Sequence, residues 1–158
     1  MLKEKYVVVI FSFSSPVNTA GNLALSHDGS MHDAGCKAVI TQKDIANAKK
    51  YLYVEDFANN PGWHSTLLVA SIAEKICNNL GCPKNAVVIA APMHLWRATR
   101  DMKRLGFKIF DSLSPWAAVS WYEKESSLPW TRSWWRWWAR EIPLRLLPWW
   151  LYKKLTLS

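Results

Sequence analysis

The segment NAVVIAAPMHLWRATRDMKRLGFKIF, Asn85 to Phe110, encodes a strand, a turn, a helix and a second strand in succession. Ala86 to Ala91 is an unbroken apolar run of strand length centred on Val87, Val88 and Ile89, which suits a strand covered on both faces, as in a parallel sheet. Pro92 interrupts that run. From His94 the spacing turns helical, with Leu95, Ala98, Met102 and Leu105 on one side and Arg97, Arg100, Asp101 and Arg104 largely on the others. Gly106 predicts the stop, because glycine accepts the left-handed conformation after a helix without a Cβ penalty. Phe107 to Phe110 reads as the next strand. A strand–helix–strand unit of this kind places Met93, His94 and Arg97 at the carboxyl end of the sheet, where open α/β folds bind ligands. His94 and Arg97, three apart in a first helical turn, lie near free backbone N–H groups, a setting favourable to phosphate or carboxylate. A plainer reading pairs Arg97 with Asp101 on a solvated face and leaves His94 as a polar turn residue.

PMHLWRATRDMKRLGFKI also resembles the signature of the YdcF/SanA/ElyC family, a Rossmann-like domain in which a tyrosine–histidine–methionine-type turn is followed by an arginine–alanine pair and a glycine. His94, Arg97, Ala98 and Gly106 match, while Met93 stands where an aromatic residue is common. Upstream, Glu55 followed by Ser65 and Thr66 resembles the family's acidic residue and serine–threonine pair, and Val69 occupies a position where many members have asparagine. The resemblance spans Glu55 to Phe110; the family's helix-starting arginine near the N-terminus has no counterpart. It implies binding of a phosphate-bearing or nucleotide-like ligand, with S-adenosylmethionine or a nucleotide as candidate cofactor, in a family linked to cell-envelope processes. On that pattern Arg97 clamps the anion, His94 orients it or exchanges protons, and Glu55, Ser65 and Thr66 line the opposing wall.

The chain has 158 residues, enough for one domain with a real core, and its composition, half apolar and one fifth charged, is globular. Cys36, Cys77 and Cys82 form no CxxC pattern and leave an odd thiol under any pairing, which favours a reducing compartment. The apolar run Tyr6–Phe11 is too short for a signal segment, and no stretch approaches the roughly 20 apolar residues of a membrane span. The expected location is the cytoplasm, peripheral to the inner face of the membrane if the tail binds lipid. In the family, envelope members carry an anchor, so the expectation is the soluble branch. Of the net charge of +8, residues 1–129 contribute +3 and residues 130–158 contribute +5, so the basic character belongs mostly to the tail. No helix-turn-helix, zinc-finger or RNA-recognition pattern accompanies it, and no specific nucleic-acid partner is expected.

Along the chain, Tyr6–Phe11 reads as a central parallel strand, with Ser12, Ser14 and Ser15 at its carboxyl end where a phosphate turn would lie. The turn has no glycine-rich fingerprint, but Ser12 and Ser14 with their backbone amides are candidate anion contacts. Residues 16–35 read as a broken helix with loop. His27, Asp28, His32 and Asp33 cluster there, yet the two histidines are five apart and no third nitrogen or sulfur ligand has a recognisable spacing, so no metal site is expected. Residues 37–41 predict a second strand, 44–53 an alanine-rich helix and 52–55 a short third strand that presents Glu55. Ser65 predicts a helix cap for 66–80, with Leu68, Ile72, Ile76 and Leu80 inward and Cys77 near the buried face. His64 is a weaker candidate for the same cleft. Asp111–Ser133 reads as a long loop with a short helical piece.

The expected fold is a three-layer, Rossmann-like α/β domain over residues 1–129, with about five mostly parallel strands near 6–11, 37–41, 52–55, 86–91 and 107–110 and helices near 44–53, 66–80 and 94–105. Residues 130–158 form an extension with seven tryptophans and six basic residues, expected to pack on the domain or to meet an anionic membrane surface through residues 130–152. Arg132, Arg136 and Arg140 at i+4 predict one basic helical face; Pro143 and Pro148 argue against one long helix. The expected partner is a small anionic ligand. Two other classes stay open: a non-catalytic peripheral membrane protein acting through its tail, and a hydrolase or transferase on a phosphorylated envelope intermediate with His94 as general acid or base.

Overall fold

The structure, a computed structural model, describes residues 6–13, 22, 25, 36–42, 45, 51–54, 65–115, 121–126 and 128–157. Strands β1 (Val7–Ile10), β2 (Ala38–Thr41), β4 (Asn85–Ile89) and β5 (Lys108–Leu113) form the body of an all-parallel sheet, and the three-residue β3 (Tyr51–Tyr53) adds an edge. The order is β3-β2-β1-β4-β5, so the chain winds outward from β1 to one edge and then returns to wind outward through β4 to the other. The two directions part between β1 and β4, where Val7 to Ile10 pair with Ala86 to Ile89. In a parallel sheet this switch point opens a crevice at the carboxyl ends of the two strands.

Alternation along the strands sends side chains to both faces, and both faces are covered. Val7, Val9, Ala38, Ile40, Ala86 and Val88 pack under helices α1 (Thr66–Asn79) and α2 (Pro92–Arg104), which contribute Val69, Ile72, Ile76, Ala98 and Met102. Val8, Ile10, Val39, Val87 and Ile89 face the other way, toward Phe13, Leu25, Ile45 and Trp137. These continuous apolar strands are what two-sided burial requires. Pro92, with no N–H to leave unpaired, opens α2, and Gly106 at φ +85° ends it as expected. Leu68 is half-buried and Leu80 exposed, so α1 turns a broader set of residues inward than the four-residue repeat predicts.

Three expectations are corrected. The helix over 44–53 does not reach its expected end, because Tyr51, Leu52 and Tyr53 pair with Val39, Ile40 and Thr41 as β3, and Val54 already belongs to a turn. The last strand does not stop at Phe110. It runs to Leu113, with a register shift that leaves Phe110 unopposed between the pairs Ala86–Ile109 and Val87–Asp111. As an edge strand with one open side, β5 tolerates Asp111 and Ser112, which the apolar pattern reads as loop. The tail forms two helices, α3 (Trp134–Leu146) and α4 (Trp149–Leu157), with a 3-10 turn at Pro129–Thr131 before them. Pro148 separates the helices as expected, whereas Pro143 is accommodated inside α3. Arg132 precedes α3 and donates through Nε to the Ser126 carbonyl (2.7 Å), so the three-arginine face shrinks to Arg136 and Arg140.

The tail packs on the domain. Tyr152, 1% exposed, donates its hydroxyl to Asp101 of α2, whose carboxylate also accepts from Arg100 Nε (3.0 Å). Burial raises the Asp101 carboxyl above its ordinary range, opposed by the bond from Tyr152 and by Arg100. Ser65 Oγ donates to the Thr156 carbonyl (2.7 Å), tying α4 to the start of α1. Tyr152→Phe removes one donor from a carboxylate that is 0% exposed, and the expected loss is about 1–3 kcal/mol in urea unfolding. An unchanged midpoint would show that the hydroxyl does not reach Asp101.

Candidate functional site

The residues singled out in the sequence divide into three groups. Ser14, Glu55, His64 and the cluster of His27, Asp28, His32 and Asp33 lie outside the described residues. Ser12 and Ser65 are described, and their most useful groups are committed within the protein. The Ser12 backbone N–H donates to Gln42 Oε1 (3.1 Å) and the Phe13 N–H to Asn22 Oδ1 (3.2 Å), so the two amides that follow β1 are already met by side-chain carbonyls. Ser65 is the N-cap of α1, accepting from the Leu68 N–H (3.1 Å) while it donates to Thr156. The third group, Thr66, His94 and Arg97, comes together.

Their meeting follows from the fold. Thr66 opens α1, His94 and Arg97 occupy the first turns of α2, and the amino ends of both helices converge beside the carboxyl end of β4. Thr66 Oγ1 lies 3.3 Å from His94 Nε2, and Arg97 Nη2 lies 3.4 Å from His94 Nδ1. All three residues are buried, with exposures of 5%, 5% and 2%. The walls are aromatic: Phe11 stands 6.1 Å and Trp137 5.4 Å from the imidazole, centroid to centroid, and Arg97 lies over the Trp137 ring at 5.7 Å.

Arg97 is also held by a residue that the sequence reading missed. Glu141 of α3, 1% exposed, forms an ion pair with Arg97, one oxygen lying 3.2 Å from Arg97 Nε, and accepts a hydrogen bond from Arg145 Nε (3.1 Å) through the other. Arg145 Nη2 in turn donates to the Met93 carbonyl (3.2 Å), fastening the turn that carries His94. The anion on Arg97 in this structure is therefore the protein's own carboxylate. Asp101, the partner that i+4 spacing offers, pairs with Arg100 and Tyr152 instead. Glu141 was detectable only as the lone acid in a tail of six bases.

The electrostatics settle the state of His94. Burial first, and then the charges of Arg97, Arg140 and Arg145, hold its pKa well below the ordinary value of 6.5, so the imidazole is neutral at physiological pH. A guanidinium can only donate, so Nδ1 accepts from Arg97, and the single ring proton then sits on Nε2 and is donated to Thr66 Oγ1. In this tautomer His94 cannot take the threonine proton, and it orients the hydroxyl instead. Arg140 is itself lowered to about 10, by burial and then by Arg97. Cys77, pushed up to about 12 mainly by burial, is an inert core thiol. Among the described residues no group of three His, Cys, Asp or Glu side chains could hold a metal ion.

A histidine with a depressed folded-state pKa binds fewer protons when folded than when unfolded. Its contribution is complete above about pH 6.5 and is lost as the pH falls from there toward the folded value. The wild-type melting temperature is expected to drop between pH 7 and 5, and His94→Gln to flatten that part of the profile. Parallel profiles for the two proteins would show that His94 is not buried as a neutral imidazole.

No protein-family model matches the chain, and no curated protein or solved structure matches it either.

Proposed function

We propose that this α/β domain binds a small anionic ligand, phosphate-bearing or nucleotide-like, where Thr66, His94 and Arg97 meet beside the β1/β4 switch point. The observation that carries this reading is the charge around His94. Three guanidiniums, Arg97, Arg140 and Arg145, act on the imidazole, and Glu141 pairs with two of them, Arg97 and Arg145. The amino ends of α1 and α2 add partial positive charge from the same direction. Two donors support an acceptor-rich ligand. The Thr66 hydroxyl, which accepts from His94, keeps its own proton to donate, and the buried Trp137 Nε1–H has no hydrogen-bond partner among the described residues.

Within this reading Glu141 fixes the plane of the Arg97 guanidinium, and Arg97 sets the imidazole tautomer. The ligand meets the Thr66 hydroxyl and the positive field, rather than the committed amides after β1. Binding is favoured over hydrolysis or group transfer because the hydroxyl–imidazole pair has the wrong proton order for a nucleophile and its base. The resemblance to the YdcF/SanA/ElyC family points to the same residues, and it makes nucleotides, S-adenosylmethionine and prenyl phosphates the first ligands to try.

The test is a thermal-shift titration of the full chain with inorganic pyrophosphate, ATP, S-adenosylmethionine and a short-chain prenyl phosphate. A ligand at 100 times its dissociation constant stabilises the fold by about 2.7 kcal/mol, well above detection. Thr66→Val keeps the shape of the side chain and removes the donor, and it is expected to weaken the bound ligand about tenfold or more. No saturable shift with any of the four, or an affinity unchanged in Thr66→Val, would remove the site.

A further inference from the structure

Helices α2, α3 and α4 carry nine cations and two carboxylates. The carboxylates are Asp101 and Glu141, 0% and 1% exposed, so every exposed charge on these three helices is positive. The same helices expose large apolar side chains. Trp134, Trp135 and Trp150 are 55–68% exposed, Ile142 is 52% and Leu146 is 78% exposed.

On α3 this exposure has a direction. Trp137 and Glu141 turn inward, and Trp135, Ala139, Ile142 and Leu146, at i, i+4, i+7 and i+11, lie along the opposite side. The helix is thus apolar on its outward stripe as well as on its packed one, a pattern with no use for a helix facing water alone. The stripe is continuous with a basic groove on α2. Trp138, one turn from Ile142, lies under Arg145 at 5.0 Å; Arg145 also covers Trp96 at 4.7 Å, and Trp96 lies under Arg100 at 5.1 Å. Arg104 continues the series onto Trp149 of α4 at 5.2 Å. An open groove of about 660 Å³ runs along α2, lined by Trp96, Arg100, Lys103 and Arg104 with Ser112 of β5 on its other side.

We infer that the outward faces of α2, α3 and α4 form a docking surface for an anionic lipid bilayer, with lipid phosphates entering the groove over Trp96. Charge complementarity selects the partner, since a surface with only positive exposed charge meets a leaflet with only negative net charge. The apolar stripe separates a bilayer from a soluble polyanion. Ile142 and Leu146 gain from an acyl boundary and gain nothing from a phosphate backbone, while indoles favour the headgroup zone and guanidiniums stay at the phosphates above it. No helix among the described residues is long and apolar enough to cross a membrane, so contact through this surface is in-plane. The surface does not involve Thr66 or His94; Arg145 borders both regions, and the variants below leave it in place.

The experiment is co-sedimentation of the full chain with vesicles of pure phosphatidylcholine or of phosphatidylcholine with phosphatidylglycerol, at low and high salt. It is paired with quenching of tryptophan emission by lipids brominated along the acyl chain. Binding to the anionic vesicles is expected to exceed binding to neutral ones by about tenfold or more, to weaken with salt and to be accompanied by quenching. Lys103→Gln with Arg104→Gln should reduce the anionic preference. Ile142→Ser with Leu146→Ser should reduce quenching with a small change in melting temperature, because the two side chains are 52% and 78% exposed. Thr66→Val should bind vesicles as the wild type does, so failure here and failure of the ligand site are separable. The proposal is overturned if the protein stays in the supernatant with anionic vesicles at low salt. It is equally overturned if a single-stranded oligonucleotide binds more tightly than vesicles and the Ile142 and Leu146 changes have no effect.

Discussion

The arrangement depends on one buried ion pair. Arg97 and Glu141 are 2% and 1% exposed, and each would be costly in the interior without the other, since the desolvation of a single charge is several kcal/mol. Their pairing commits α3 to lie across the carboxyl end of the sheet. Once α3 is there, Trp137 packs at 4.7 Å from Phe13 and closes the second core. The same pair orients the Arg97 fork toward His94, and the fork decides which ring nitrogen keeps its proton. A residue in the tail therefore reaches Thr66 through two intervening side chains.

This explains why a chain with seven tryptophans in its last 29 residues remains a folded domain rather than a domain with an appended anchor. The indoles are divided by position. Trp137 is buried, Trp130, Trp138 and Trp149 are half-buried, and Trp134, Trp135 and Trp150 stand in solvent. Several are covered by guanidiniums, as Trp130 is by Arg140 at 4.2 Å and Trp135 by Arg136 at 5.2 Å. Such stacking shields the rings while leaving the positive charge at the surface. Arg145 belongs to both regions, holding Glu141 with one nitrogen and lying over Trp96 and Trp138 with its face.

The sheet was legible where local pattern and tertiary environment agree. The β-branched runs of β1 and β4, the Ser65 cap and Gly106 all report a backbone need that the neighbouring residues alone impose. The edges were less legible. In β5 a bulge at Phe110 breaks the alternation, and solvent on one side removes the demand for apolar residues; in β3 three residues take their structure from pairing with β2 against a helical pattern upstream. His94, Arg97 and Thr66, singled out because they lie at helix starts and resemble a family motif, are brought together by the fold. Glu141 and Tyr152 were assigned no role, and Asp101 only the i+4 pairing with Arg97, because their actual partners Arg97 and Tyr152 lie distant in the chain. A lone acid among arginines looks like a solvated residue until the fold buries it.

The central claim is that the Arg97–Glu141 pair holds the tail helix over the carboxyl end of the sheet, and a double-mutant cycle measures it directly. Glu141→Leu leaves the buried Arg97 without its carboxylate and is expected to lose about 3–5 kcal/mol in urea unfolding; Arg97→Met leaves Glu141 with Arg145 as its remaining partner and is expected to lose less, with the double variant closer to wild type than Glu141→Leu alone. Single losses below about 1 kcal/mol that add within about 0.5 kcal/mol would contradict the account, because the tail would then be held by its other contacts, among them the Tyr152–Asp101 and Ser65–Thr156 hydrogen bonds.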